Sequence, residues 1–199
     1  MFGNLLGVRV KLNCSEKVDK NEKFIVIMNH QSCLDIIPMS HILLALGDLA
    51  PVVRKAILYV QPFGLAVKVS DGMFLENGKK NASRKVLNDK IFSLKSIKKK
   101  FSQQHNLAMF PEGTRCDSEQ LLPFKKGAFH MSVQSGMRIL PVVVQKYHFI
   151  NHQKKIFGRG EVKVNILDPI EKKNVENIDE FTNRAYEIMN NKFKQLNSN

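Results

Sequence analysis

The sequence predicts an α/β domain in which a mixed sheet is flanked by helices, and three observations carry that expectation. Short apolar runs rich in β-branched residues alternate along the chain with segments of helical length, the pattern of strands connected by helical crossovers. Hydrophobic residues make up 43% of the chain and charged residues 25%, a composition that builds a packed core rather than a disordered tail. At 199 residues one domain with a substantial core is expected over 1–199, with its motif-bearing core at about 7–168 and a closing helix at 180–196.

Taken in order, Phe24–Met28 (FIVIM) reads as a buried strand. An apolar helix follows over Asp35–Leu46, with Asp35 able to cap it and Pro38 tolerable in its first turn. Ala50–Arg54 and Val67–Leu75 read as strands, with Pro62-Phe63-Gly64 as a turn between them. Ala82–Phe101 is an amphipathic helix, since Leu87, Ile91, Leu94, Ile97 and Phe101 recur at three- and four-residue steps. Leu107–Phe110 is another short strand, and Gly127–Ser135 a helix stopped by Gly136. Ile139–Val144 and Val162–Leu167 complete the strands. The closing helix, Phe181–Leu196, is preceded by Asn177 and Glu180 at the spacing of a capping box. The order contains no internal repeat, low-complexity tract or interdomain linker.

The net charge of +13 calls for an anionic partner: nucleic acid, anionic lipid or a phosphorylated substrate. Nine Lys and Arg residues between Lys79 and Lys100 stand against Asp89 alone, so this segment supplies +8 of the surplus. A solvated helix face accounts for the cluster, and so does contact with anionic headgroups. No zinc finger, RNP-like aromatic motif or helix-turn-helix accompanies the charge, so nucleic acid is not expected. Cys14, Cys33 and Cys116 lie far apart, which suits a reducing compartment and argues against a structural zinc site. Met1–Val10 has no signal-peptide core, and Ile36–Val53 is broken as a membrane span by Pro38, His41, Asp48 and Pro51. If the protein works on membranes, the chain is expected to lie on the bilayer surface or to have lost its anchor.

Two constellations carry chemistry. Asn29-His30-Gln31-Ser32-Cys33-Leu34-Asp35 follows directly on a strand, where a rigid element holds polar groups at a crevice. If the chain turns, Asp35 can accept from one imidazole nitrogen of His30 and leave the other as a general base. The same spacing also suits a helix N-cap without chemistry, and Ser32 and Cys33 invite a nucleophile reading. Phe110-Pro111-Glu112-Gly113-Thr114-Arg115 also follows a strand. Gly113 allows close backbone approach and Arg115 offers a planar fork for phosphate, although a simple Pro-Gly turn has the same composition. His148 and His152 could share a helix face, but without a carboxylate or Cys partner they read as a solvated loop pair, and no metal is expected.

In order and together, these segments resemble the glycerolipid acyltransferase family, in particular its 1-acylglycerol-3-phosphate (lysophosphatidic acid) acyltransferases. NHQSCLD is similar to the family's first motif, N-H-x4-D, and FPEGTR is its third without change. Tyr59–Gly64 resembles the approach to the second motif, Pro123–Phe129 the stretch after the third, and Leu140-Pro141-Val142-Val143 the fourth. The resemblance runs from about Gly7 into the 160s. It departs at the second motif, which usually ends on arginine; here Gly72-Met73-Phe74-Leu75-Glu76-Asn77 ends on Asn77, and Lys79 or Lys80 could supply the charge without the guanidinium fork. Family members also commonly carry membrane-embedded helices before the first motif.

The resemblance implies direct acyl transfer, with no acyl-enzyme. His30 would take the proton from the sn-2 hydroxyl of lysophosphatidic acid as it attacks an acyl-CoA thioester, and Asp35 would orient the imidazole, giving phosphatidic acid. Glu112, Gly113, Thr114 and Arg115 would bind the glycerol phosphate, and Asn29, Gly72, Asn77, Lys79 and Pro141 are further substrate-binding candidates. No cofactor beyond acyl-CoA as co-substrate is implied. The Lys79–Lys100 cluster could equally meet the CoA phosphates. The expected place is the cytosolic face of a membrane with anionic lipid, endoplasmic reticulum in a eukaryote or inner membrane in a bacterium. A different lysophospholipid headgroup, or transacylation, is the alternative that Asn77 keeps open.

Overall fold

A computed structural model of the chain describes residues 7–54, 59, 73–75, 105–151 and 156–198. Among these residues nine strands are assigned: β1 (Val8–Cys14), β2 (Phe24–Met28), β3 (Ala50–Arg54), β4 (Met73–Leu75), β5 (Leu107–Met109), β6 (Arg138–Val144), β7 (Ile150–Asn151), β8 (Ile156–Phe157) and β9 (Gly160–Ile166). Seven of them form one sheet in the order β1-β9-β6-β2-β5-β3-β4, and β7 pairs with β8 as a separate antiparallel ribbon. Neighbours in the large sheet are parallel except β6 and β9, which run antiparallel over Val142–Val144 and Val164–Ile166. The sheet is therefore mixed, as expected.

The apolar sequence of β2 follows from its place in the middle. Ile25 and Ile27 face one side, where α2 (Gly127–Ser135) and α3 (Ile178–Asn197) bring Phe129, Phe181, Met189 and Phe193 against them. Phe24, Val26 and Met28 face the other, under Ile37, Ile42 and Leu46 of α1 (Ile36–Leu46). A strand covered on both faces carries no polar alternation. β1, at the sheet edge, goes beyond the expected set of strands, although Val8, Val10 and Leu12 alternate with Arg9, Lys11 and Asn13 at the period of a half-buried strand.

The helix ends match the sequence in two places and correct it in one. Asn177 accepts from the N–H groups of Asp179 and Glu180 while Glu180 accepts from Asn177, the reciprocal box expected at the start of α3. Gly136 ends α2 at φ +76, a left-handed position that glycine adopts without strain. At α1, however, Asp35 caps nothing with its side chain toward the helix, and its own backbone is already helical. Ser32 does the capping one turn earlier, around a 3-10 turn at Cys33–Asp35: its hydroxyl accepts from Leu34 N–H at 3.3 Å, and the Asp35 carboxylate accepts from Ser32 N–H at 3.1 Å. Among the described residues no helix is long and apolar enough to cross a membrane. The helix expected over 82–101, the turn at 62–64 and all of the 67–75 strand before Met73 lie outside the described residues.

Candidate active site

β2, β5 and β6 are mutually parallel, so their C-terminal ends share one edge of the sheet. That topology gathers residues 29–35, 110–116 and 145–147 where the strands stop, the usual place for a crevice in such sheets. Asn29 fixes the junction. It is fully buried, and its side-chain amide donates to the Val144 carbonyl at 3.0 Å and accepts from Val144 N–H at 2.8 Å. Gln31 adds donations to the carbonyls of Val144 and Gln145, each at 3.1 Å.

The chain then turns so that His30 and Asp35 meet, with His30 Nδ1 2.7 Å from Asp35 Oδ2. The same oxygen accepts from Gln31 N–H at 2.8 Å and Ser32 N–H, while Oδ1 accepts from the Tyr147 hydroxyl at 2.7 Å. A carboxylate ringed by three donors can only accept from the imidazole, so the proton of neutral His30 belongs on Nδ1 and the lone pair on Nε2. Asp35 is 2% exposed at its side chain and His30 22%, so the orienting group is sealed and the base is reachable. Phe110 stacks on the imidazole at 3.8 Å between centroids and 17° between planes, which holds the ring's tilt. Burial, and next the charge on Asp35, push the Tyr147 phenol far above its usual range, so it stays a donor at any physiological pH.

The second loop is fastened to the first through the backbone of His30. Glu112 Oε1 accepts from His30 N–H at 2.8 Å, and the His30 carbonyl accepts from Cys116 N–H at 2.9 Å. Glu112 Oε2 accepts from Leu122 N–H at 2.9 Å. Burial raises the Glu112 carboxyl above the ordinary range, and those two backbone donors offset only part of it. Gly113 stands at φ +70, where an L side chain would be strained, and the Lys125 side chain covers the space a Cβ would need. Thr114 and Arg115 are exposed, and among the described residues Arg115 has no acidic partner.

Of the candidate residues, His30, Asp35, Glu112, Gly113, Thr114 and Arg115 converge at one edge. Two others do not serve as expected. Asn29 has both polar ends of its amide on β6 and is fully buried, so it holds the strand ends together and presents no surface to a substrate. Pro141 lies within β6 opposite Ile27, buried and short of the strand end; the β9 ladder covers only Val142–Val144, so its missing N–H breaks no pairing there. Ser32 is spent as a cap, against a nucleophile reading. Gly72, Asn77, Lys79 and His152 lie outside the described residues. Tyr147, Gln31 and Phe110 join the site beyond the candidate residues; Gln31 and Phe110 stand within the two motifs without a role having been assigned to them, and nothing local signals Tyr147.

Comparison with known proteins gives a consistent picture. Residues 9–145 match the family model described as Acyltransferase. The chain is 34% identical over 202 residues to the 1-acyl-sn-glycerol-3-phosphate acyltransferase of Saccharomyces cerevisiae, covering 96% of this chain and 62% of that protein. It is 29% identical over 167 residues to the human 1-acyl-sn-glycerol-3-phosphate acyltransferase alpha, covering 83% of this chain but 56% of that protein. An uncharacterized acyltransferase of Schizosaccharomyces pombe is 28% identical across 98% of this chain and 69% of its own length. The crystal structure of the LPA acyltransferase PlsC from Thermotoga maritima superposes with a TM-score of 0.73 over 98% of this chain and 75% of that one, at 24% identity, a likeness of fold.

Proposed function

Because the chain belongs to the acyltransferase family, we propose that it transfers an acyl group from acyl-CoA to the sn-2 hydroxyl of lysophosphatidic acid, giving phosphatidic acid. The observation that carries the proposal is the 2.7 Å contact between His30 Nδ1 and a fully partnered Asp35, set beside an exposed arginine on a loop tied to the same histidine. In this reading His30 Nε2 removes the hydroxyl proton as the oxygen attacks the thioester carbonyl. The proton then passes from the imidazolium to the CoA thiolate as the C–S bond breaks, so no acyl-enzyme forms and no metal or resident cofactor is called for. Asp35 stabilises the imidazolium through Nδ1–H. Arg115 binds the phosphate. Work at a membrane surface fits both the +13 charge and a lipid acceptor, and the cytosolic face is part of the proposal.

A second reading keeps the chemistry and changes the headgroup: Asn77 stands where the family's second motif usually carries arginine. One assay decides between them. CoA thiol release from oleoyl-CoA is followed with lysophosphatidic acid or lysophosphatidylcholine as acceptor, in wild type and His30→Ala. Release that requires lysophosphatidic acid and falls by about 1,000-fold in His30→Ala is expected, since a general base contributes ~100- to 10,000-fold. Release with the choline lipid alone moves the headgroup, and undiminished turnover in His30→Ala removes the base from its role.

A further inference from the structure

We propose that Lys125 is a second cation of the headgroup site, binding the acceptor's phosphate monoester beside Arg115 and supplying charge that Asn77 lacks. The inference rests on the acyl-transfer reading above. A Cβ placed on Gly113 would meet both Cδ and Cε of Lys125 at 2.9 Å, as well as its ammonium nitrogen. The lysine therefore lies along the bare Cα of the bend between Glu112 and Arg115, using its methylene stem as packing and leaving its charged end on the turn. Its backbone is fixed there too, since Lys125 N–H donates to the Pro111 carbonyl at 2.8 Å.

Among the described residues this charge has no counterion. Asp117 and Glu119, the nearest carboxylates in sequence, pair with Lys146, and Glu112 has one oxygen under His30 N–H and the other under Leu122 N–H. Lys126 is different: it pairs with Asp179. Among the described residues neither Lys125 nor Arg115 has an acidic partner, so one tight turn carries two unneutralised cations that repel each other. Helix α2 starts two residues later, with no side chain capping its N-terminus and no acidic residue in its first turn, which adds to the positive potential. A phosphate monoester turns that repulsion into attraction. A choline phosphodiester, with one negative charge and a cation of its own, does so far less. Because Glu112 and Cys116 hold the His30 peptide from both sides, a phosphate bound on this turn stays in fixed relation to the base.

The test uses 1-hexanoylglycerol 3-phosphate, soluble enough to titrate without vesicles, against wild type, Lys125→Ala, Lys125→Arg and Lys126→Ala. Calorimetric affinity is measured without acyl donor, and KM and kcat with it. Charge-assisted hydrogen bonds of about 1.5–3 kcal/mol translate into a loss of affinity and a rise in acceptor KM of roughly tenfold or more in Lys125→Ala. The kcat and the KM for acyl-CoA should hold, arginine should restore most of the affinity, and Lys126→Ala should bind as wild type. Unaltered affinity in a natively folded Lys125→Ala protein overturns the assignment, as does a wild type that does not bind the probe. A KM rise on acyl-CoA overturns it as well, by giving the lysine to the CoA phosphates. Binding through Lys125 with no turnover on any acyl donor would uphold the anion site and overturn the acyl-transfer reading.

Discussion

Residues 30–35 and residues 113–115 sit at the same sheet edge, tied together through the His30 backbone, but they are built on opposite plans. The first stretch is a closed network. Asp35 is buried, each of its oxygens is occupied, and the ring it orients is held by Phe110 stacked on its face. The second is open: Thr114 and Arg115 are exposed, and what is fixed is the backbone of the bend. The difference suits the role proposed for each. A proton transfer depends on tenths of an ångström and on one tautomer, so its parts are locked in a dry network. Recognition of a phosphate by charge tolerates a mobile fork in water, and an exposed fork costs little to keep unpaired.

That contrast can be broken at three points. Asp35→Asn should be the most damaging. The amide cannot accept from all the groups that now donate to it, and it permits the wrong imidazole tautomer. A fall in kcat of about 1,000-fold or more is expected with the acceptor KM little changed; a loss under tenfold would mean the closed network is scaffolding. Tyr147→Phe is the sharper probe. It leaves Oδ1 buried without a donor, at a cost of about 1–3 kcal/mol in stability and with roughly a tenfold loss in kcat. An unchanged kcat would make Tyr147 a packing residue. Arg115→Ala should be mildest on the fold, with the melting temperature unchanged. Its effect should fall on the phosphorylated acceptor, with KM rising about tenfold and kcat within about twofold. A kcat loss there would show that the open half also shapes the transition state.

Much of this arrangement was legible in the sequence because it is local. FIVIM announces a strand covered on both faces, Asn177 and Glu180 announce a capped helix, and the two motifs each follow a strand end, which is where the parallel ladder needs them. What escaped is long-range or ambiguous. Tyr147 reaches Asp35 across 112 positions and Asn29 reaches Val144 across 115, distances at which spacing carries no information. Asn29 read as a substrate contact because it adjoins the histidine, but in a parallel sheet a buried amide at a strand end is more useful as a bridge to the next strand. Asp35 read as a helix cap because acidic residues favour that position; the 3-10 turn moved the capping task to Ser32 and freed the carboxylate for the imidazole. β1 was obscured by its charges, which mark an edge strand and not a loop.

The hydrogen bonds that join the site also decide when it can exist. His30 meets Glu112 across 82 positions, and Asp35 meets Tyr147 across 112. Neither bond can close before β5 and β6 have docked on β2, and non-local parallel pairing is the slow step in chains of this kind. The reactive geometry is thus among the last things to form during refolding, long after helical signal has appeared. Regained turnover would time the closure of the sheet itself.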